Sequence, residues 1–445
     1  MAGGRSPADP PPAKHRKESS ATVAAASLGD DVLFEIFIRL PSLATLVRAT
    51  YTCRAWRRAV ASFGDFRRRF RETHPAPLLG LFFDPPGADQ TPALPIFPSF
   101  VPTRGASRDL AAAVRGGDFF LTSLQERPGG LHGWDIHDCR GGYILVGNRA
   151  QKAMAVLNPL ARGSERFFGF GHVHDDNLHG EHGLPVAHDA CRLCCSESEV
   201  ALDARLLCSD EDPKLFRVII IAHDKSRARA TVFSSDTGEW SVHQWADVPP
   251  ISLPMPFKLQ LLNSNMQANG MLHWVYSNLR HMLTLDTVTM EFSVTELPLW
   301  VRASECCFVV GETNNGTPCI VYVFKFRVYL FLQTIDDDGV KRWMVDKRTS
   351  LDAQLDGLLG KLKDKYSELQ VVAIRDGFAY LAASARYHYA TTPRWVLSLC
   401  LETMKLEKMF QRPYECCVHP YVMPWPLSLV GNYGSFALKY GTKST

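Results

Sequence analysis

The sequence lacks the features that would mark a membrane, secreted or strongly charged protein. Its 445 residues carry a formal net charge of only +3, too little to indicate a nucleic-acid-binding protein. The longest apolar runs, such as residues 218–222, are the size of a strand, whereas a membrane-spanning helix needs about 20 residues. The first 26 residues have no apolar signal-peptide core and are rich in Pro, Ala and charge, so we expect a disordered tail. We therefore predict a cytoplasmic or nuclear protein that binds neither membranes nor nucleic acids.

Motifs for the common catalytic chemistries are also missing. There is no G-x-S-x-G turn to present a nucleophilic serine, and neither G-x-x-x-x-G-K-[ST] nor G-x-G-x-x-G occurs, so no pattern predicts a phosphate or dinucleotide cradle. The 12 cysteines are best read as reduced, mostly buried thiols. We predict no catalytic residue and no cofactor.

One segment does have the composition of a metal site. Residues 171–195 contain five histidines and a C-x-x-C formed by Cys191 and Cys194, and His and Cys are the usual zinc ligands. Structural zinc sites, however, usually pair two ligand couples at defined spacing, whereas only one C-x-x-C occurs here and the histidines fall at irregular intervals. We predict a polar surface loop and no metal, with zinc binding left as the alternative.

Helical periodicity is clear only in residues 27–73. Apolar side chains at Val32, Leu33, Ile36, Phe37 and Leu40 recur at helical spacing. Pro41 ends this first helix and Ser42 can cap the second. A third helix carries Trp56 on its buried side. Three helices this short cannot bury their apolar surface alone, which is typical of a docking module that depends on a neighbour or partner.

The order of Leu28, "DDVLFEIFIRLP" (30–41), "LVRA" (46–49) and "CRAWR" (53–57) resembles the F-box motif. Gly29 departs from it, since the family commonly has Pro there. The resemblance implies docking onto a Skp-type adaptor and, through it, onto cullin and RING subunits. Carried over by position, the adaptor-binding residues are Leu28, Ile36, Leu40, Pro41, Leu46 and Val47, whereas Cys53 and Trp56 belong partly to the packing of the module. A generic helical hairpin is the alternative. The basic stretch "FRRRFR" (66–71) fits an amphipathic helix better than a phosphate-binding site.

From residue 77 onward the pattern changes to short strands separated by Gly, Asp, Asn and Pro. Three clear copies span residues 140–168, 216–245 and 269–298, and two weaker ones span 307–347 and 371–410. Spacing near 50 residues with three or four strands per copy predicts a β-propeller of six to eight blades over residues 77–440. A β-sandwich array is the alternative. We also expect one helix within this region, at residues 356–370.

The segment "NGMLHW" with "LTLDTVTMEFSVTELP" resembles the F-box-associated or Kelch-like propeller that follows F-boxes in plant proteins. Together the two resemblances imply a multidomain α plus all-β protein that acts as the non-catalytic substrate-recognition subunit of a Skp–cullin–F-box ubiquitin ligase. The propeller would then bind a target protein whose identity and binding residues the sequence leaves open. The alternatives are a propeller enzyme or small-molecule sensor, and an F-box scaffold acting outside the ligase.

Overall fold

A computed structural model describes residues 29–62, 65–84, 97–103, 107–125, 133–148, 153–161, 163, 165–169, 201–209, 212–223, 226–249, 261–276, 280–297, 308–335, 339, 341–360, 366–385, 394–412 and 418–430. The expected tail (1–26), Leu28 and the His/Cys loop (171–195) lie outside these residues. Contacts divide the chain into two compact units, one containing the helices up to Phe70 and the other formed by Arg71–Leu427.

Between Gly29 and Thr73, the described residues form four helices instead of the expected three. They are α1 (Asp30–Ile38), α2 (Leu43–Thr52), α3 (Arg54–Ser62) and α4 (Phe66–Thr73). The Ser42 hydroxyl accepts a hydrogen bond from the Thr45 amide at 3.2 Å, as an N-cap should. The additional helix is the "FRRRFR" stretch, which forms because its aromatic side chains fall on one face: Phe66 and Phe70 are fully buried.

The larger unit is a six-bladed β-propeller, so the prediction of a propeller is confirmed and the sandwich array is wrong. Five blades are antiparallel sheets whose first four strands pair in chain order, and the fifth strand of blade III pairs with its third. Blade II contains β3 (Trp134–Arg140), β4 (Tyr143–Asn148), β5 (Ala153–Leu157) and β6 (Arg166–Gly169); blade III contains β7 (Ala201–Cys208), β8 (Phe216–His223), β9 (Arg227–Ser234), β10 (Trp240–Val242) and β11 (Ala246–Asp247); blade IV contains β12 (Leu261–Ala268), β13 (Met271–Tyr276), β14 (His281–Asp286) and β15 (Phe292–Glu296); blade V contains β16 (Phe308–Glu312), β17 (Pro318–Phe324), β18 (Arg327–Ile335) and β19 (Lys341–Ser350); blade VI contains β20 (Tyr366–Arg375), β21 (Phe378–Ala385), β22 (Arg394–Cys400) and β23 (Leu406–Arg412).

Blade I is assembled from distant parts of the chain. Its strands are β1 (Leu78–Phe83), β2 (Ser99–Pro102) and β24 (Val418–Val422), in the order β2-β1-β24. The innermost strands β24, β3, β7, β12, β16 and β20 contact one another in a closed cycle. Two short helices, α5 (Arg108–Gly116) and α6 (Thr122–Gln125), lie between β2 and β3. The antiparallel pairing of β1 with β24 therefore closes the ring.

The hydrophobic cores lie between adjacent blades, and polar contacts tie neighbouring blades together. One core joins blades I and II, for example, and another joins blades II and III. The Tyr421 hydroxyl donates to the Gly142 carbonyl across blades I and II at 2.9 Å, and His223 Nε2 lies 2.6 Å from the Tyr276 hydroxyl across blades III and IV. Because the central strands of the blades, such as β4 and β17, bury both faces against neighbours, they are rich in apolar residues on both sides.

The hairpins between first and second strands explain part of the repeat seen in the sequence. Gly141-Gly142, Asn269-Gly270 and Asp376-Gly377 each form a two-residue turn with both residues at positive φ, the type I′ geometry that suits twisted strands. In blade II the turn also requires glycine for space, since a Cβ on Gly142 would lie 2.6 Å from the Pro424 ring. Glycine at these turns is thus a local requirement of the blade.

One expected helix is displaced. The structure places α7 at Asp352–Leu359, and Tyr366–Arg375 forms the inner strand β20 of blade VI. The helix predicted at residues 356–370 is therefore present over 356–359 and wrong over 366–370. The alternating pattern of "YSELQVVAIR" pairs along β21. Non-local pairing therefore overrides the local helical spacing of Leu358, Leu359 and Tyr366.

Candidate adaptor-binding and target-binding surfaces

The first helix separates its apolar residues into a buried and an exposed ridge. Leu33 and Phe37 are buried in the module, where Phe37 packs edge-on against Trp56 with ring centroids 5.5 Å apart. Val32 and Ile36 lie one position earlier in each turn and are 48% and 44% exposed. Residues spaced i, i+4 share a helix face, so Val32 and Ile36 form one exposed apolar ridge, called the α1 ridge below.

The predicted adaptor-binding residues do not all lie at the surface. Ile36 is exposed, Leu40 and Val47 are half-buried, and Pro41 is exposed directly after the end of α1. Leu46 is completely buried, so its side chain packs within the module and offers no surface to an adaptor. Because Leu46 and Val47 are adjacent in α2, their helical positions differ by about 100°, which explains why one is buried and the other partly open.

The sequence interpretation missed Val32 and Tyr51 as surface residues. Tyr51, on α2, is 62% exposed, and the sequence interpretation placed Val32 with Leu33, Ile36, Phe37 and Leu40 in a single apolar set. The sequence does contain a pattern that distinguishes the two ridges. In the first helix, Val32 and Ile36 form one i, i+4 pair and Leu33 and Phe37 form another, so the two pairs lie on neighbouring faces. Together these exposed side chains give a small module an apolar surface that single scattered residues would not.

The rest of the module is held by aromatic contacts. Phe34 packs edge-on against Phe66 with ring centroids 5.3 Å apart, and the Arg69 guanidinium lies 5.5 Å from the centre of the Phe34 ring. Cys53 ends α2, and its carbonyl accepts from the Arg57 amide at 3.2 Å. These contacts are structural, and they leave the α1 ridge as the face open to a partner.

In the propeller, the charged residues that could suggest catalysis are paired with each other. Arg205 and Asp203, both on β7, form an ion pair at 2.7 Å. The Trp274 indole of blade IV donates a hydrogen bond to the same Asp203 carboxylate. Both charged side chains are at least 94% buried. This pair therefore fixes blade III against blade IV, since a buried charge needs a partner.

A second buried carboxylate ties three blades together. Asp138 on β3 accepts from the Leu206 amide of blade III at 3.0 Å and lies 3.6 Å from Arg375 of blade VI. Burial alone would raise the pKa of Asp138, but the nearby Arg140, Arg375 and Arg205 guanidiniums outweigh it and hold the pKa below the ordinary value. Asp138 thus stays ionised at neutral pH as a structural anion, unlike a general acid, whose pKa is raised.

Other potentially reactive groups are also buried. Burial lowers the pKa of His273 to about 4, so this imidazole is neutral at pH 7, where it lies 3.0 Å from the Thr284 hydroxyl. Burial raises the pKa of the Cys319 thiol to about 12, which keeps the thiol protonated and unreactive. Within the described part of the chain, no group of three or more His, Cys, Asp or Glu side chains is arranged to hold a metal ion, and no helix is both long and apolar enough to cross a membrane.

These two units define the class of protein: a helical docking module joined to a six-bladed propeller. The family described as "F-box protein AT5G49610-like, beta-propeller" matches residues 135–428, and the F-box-like family matches residues 26–72. Because the first match covers more than half of the chain, the protein belongs to the family of AT5G49610-like F-box proteins with a β-propeller. The F-box identifies a module of the kind that binds Skp-type adaptors.

Comparison with solved structures adds only distant resemblances. The chain is similar to a Lactobacillus plantarum protein (12% identity, TM-score 0.30), with 63% of this chain and 71% of that one covered. It is also similar to a Desulfotomaculum acetoxidans protein of unknown function (8% identity, TM-score 0.32), with 64% of this chain and 72% of that one covered. A third similar structure is the β-propeller domain of Myceliophteria thermophila Cps50 (Swd1) (8% identity, TM-score 0.31), with 63% of this chain and 74% of that one covered. No curated protein matches the chain.

Proposed function

We propose that this protein is the substrate-recognition subunit of a Skp–cullin–F-box ubiquitin ligase. The observation that carries the proposal is the α1 ridge: an F-box-like module exposes Val32 and Ile36, followed by Pro41, where the family would contact its adaptor. The propeller would bind the target protein, and the adaptor would connect both to cullin and RING subunits. In such a complex the receptor acts by proximity, since it raises the effective concentration of the target at the ubiquitin-transfer site.

The buried pairing of charges in the propeller supports a non-catalytic role. The carboxylates of Asp138 and Asp203 are both engaged by arginines and closed to solvent. A propeller enzyme would need comparable groups open to a substrate. We place the complex in the cytoplasm or the nucleus, on the sequence grounds given above, and distribution of a fluorescent fusion would test this.

Coexpression with a Skp-type adaptor tests the proposal. The full chain should co-purify with the adaptor, and Ile36→Asp should reduce capture at least about tenfold, because a buried charge at an apolar contact has no partner. Leu40→Asp combined with Pro41→Ala should do the same. Val288→Asp is the matched control, because Val288 lies in the β14–β15 turn of the propeller and is 86% exposed.

Equal capture of wild type and Ile36→Asp by the adaptor, with both chains folded by circular dichroism, would refute the role of the α1 ridge. A chain that captures the adaptor but recruits no cullin would instead support a scaffold outside the ligase. A cullin pull-down from the same coexpression distinguishes that alternative from the ligase subunit.

A further inference from the structure

Exposed apolar side chains of the propeller concentrate on blade V. Among the described residues, Phe324, Ile335, Met344 and Val345 of this blade are 44–68% exposed. A propeller blade normally hides such residues against its neighbours, and contiguous exposed apolar surface marks interaction sites. The outer part of blade V is therefore a second place, besides the α1 ridge, where the molecule exposes apolar surface.

Of these four, Phe324, Met344 and Val345 line an open groove, and Phe324 and Val345 lie on the same face of the sheet. The register places Tyr322 opposite Tyr329, and Phe331 opposite Val345. Side chains two positions apart in a strand share a face, so Phe324 and Trp343 join this set. The open groove has a volume of about 570 Å³. We call it the β19 groove, defined by Tyr322, Phe324, Tyr329, Phe331, Trp343 and Val345.

One border of the groove is an edge strand. β19 is the outermost strand of blade V, it is ten residues long, and no further described strand pairs with it. An edge strand presents backbone donors and acceptors that can pair with another extended chain. Peptides bind such edges by adding a strand, with pockets beside the edge selecting alternate side chains. The combination of a long edge and an aromatic groove fits this mode of binding.

Positively charged side chains surround the groove and favour an acidic peptide. The Arg348 guanidinium lies 5.3 Å from the centre of the Tyr329 ring, and the Lys325 ammonium lies 5.6 Å from that of Phe324. Lys341 and Arg327 are exposed on the same face. Cations over aromatic rings stay near the apolar floor, so an apolar peptide segment with carboxylates would meet complementary charges.

Strand β19 carries little negative charge. Its one acidic residue, Asp346, has its carboxylate 3.9 Å from the Lys347 ammonium. Lys347 itself points to blade VI, where it donates to the carbonyls of Leu401 and Glu402 at 3.0 and 2.8 Å. The cations that border the groove are therefore not neutralised by the acidic residue of β19.

We propose that the β19 groove binds an extended acidic segment of a partner protein, which adds as a fifth strand beside β19. Apolar side chains at alternate positions of the segment enter the groove, and Asp or Glu side chains pair with Lys341 and Arg348. As a target-binding surface this inference rests on the proposed function, for which it names the chemistry of the target.

The test uses the full chain and a fluorescein-labelled ten-residue peptide in which Glu alternates with Val and Phe. Fluorescence anisotropy should show binding at least about tenfold tighter than for the same peptide with Lys in place of Glu. A central proline should weaken binding to a similar extent, because proline cannot donate to the edge strand. Affinity should also fall as salt rises.

Variants locate the binding. Val345→Glu and Arg348→Glu should each weaken peptide binding about tenfold or more, and because both side chains are exposed, circular dichroism should remain unchanged. Arg217→Glu is the matched control, since Arg217 is an exposed strand residue of blade III, and it should bind the peptide as the wild type does.

Four results would overturn the proposal. These are equal binding of the lysine peptide, unchanged binding by Val345→Glu, tighter binding of a single-stranded oligonucleotide or of a proline-rich peptide, and a concentration-dependent dimer that Val345→Glu abolishes. Adaptor capture is measured in parallel. A chain that captures the adaptor but not the peptide contradicts only the groove, whereas one that binds the peptide but never the adaptor contradicts only the ligase role.

Discussion

The helical module and the junctions between propeller blades differ in which side chains they bury. The module leaves apolar side chains exposed, as at Val32 and Ile36, whereas the propeller buries charged ones, with Asp138, Arg205 and Arg375 no more than 8% exposed. An exposed apolar ridge costs free energy that a partner can recover. A buried ion pair contributes little net stability but is strongly destabilising when half of it is removed. The difference indicates that the α1 ridge, like the β19 groove, is a surface that a partner can cover, whereas the buried ion pairs keep the blades in one arrangement.

The most damaging change on the propeller side is expected to be Asp203→Ala. It removes the ion pair between Asp203 and Arg205 and the acceptor of the Trp274 indole, so the free energy of unfolding should fall by about 3–5 kcal/mol. Urea denaturation of the full chain measures this. The control is Glu407→Ala, which breaks the exposed pair with Lys405 and should cost less than about 1 kcal/mol. Similar losses for both variants would remove the contrast between buried and exposed charges.

Acid should also destabilise the propeller through His273. Its pKa is lowered from 6.5 to about 4 by burial, so the unfolded chain takes up a proton at a higher pH than the folded one. The stability present above pH 6.5 is therefore lost as the pH falls toward 4, by about 3 kcal/mol at about 1.4 kcal/mol per pH unit. Thermal unfolding between pH 7 and 4 should show this slope, and His273→Gln should reduce it. If the stability of His273→Gln depended on pH as strongly as that of the wild type, the acid sensitivity would arise from other titratable groups.

On the module side, Gly29→Pro should be mildly stabilising. Gly29 is the N-cap of α1 with φ −61°, and a Cβ there would meet nothing within 4 Å. Because proline fits this φ and restricts the unfolded chain, we expect a gain of about 0.4–1 kcal/mol, seen as two- to fivefold slower hydrogen exchange in α1. Gly238→Pro is the opposite case, since φ is +75° and the amide donates to the Ser234 carbonyl at 2.9 Å. Faster exchange in Gly29→Pro would mean that the F-box pattern does not govern this turn.

Sequence patterns predict the local features of this protein and miss those that depend on distant pairing. The cap at Ser42 and the glycine-containing turns are short-range, and the interpretation of the helical module and blades built on them is confirmed. The inner strands β3, β7 and β12 lay mostly or wholly outside the repeat copies. β7 alternates charged and apolar residues, and its Asp203 is stabilised by Trp274, 71 positions away. Such partners cannot be read from one segment.

The sequence likewise predicts part of the adaptor-binding candidate surface but not the β19 groove. The resemblance to the F-box placed Ile36 and Pro41 in a contact region, and the structure leaves both exposed, but it also included Leu46, which is buried. The β19 groove had no counterpart in the sequence interpretation. Its aromatic side chains come from three strands, and in the sequence Tyr329 and Trp343 look like ordinary core residues. Only the strand register brings them together beside an edge.

The pairing of β1 with β24 has a consequence for how the protein is made. Leu78 lies opposite Val422, so the ring stays open on the ribosome until nearly the whole propeller has been translated. The helices that precede Arg71 emerge from the ribosome long before that, since synthesis proceeds from the amino terminus. A nascent chain thus exposes the helices that carry the α1 ridge while the propeller is still incomplete, so in the proposed complex an adaptor could begin to bind before any target is held.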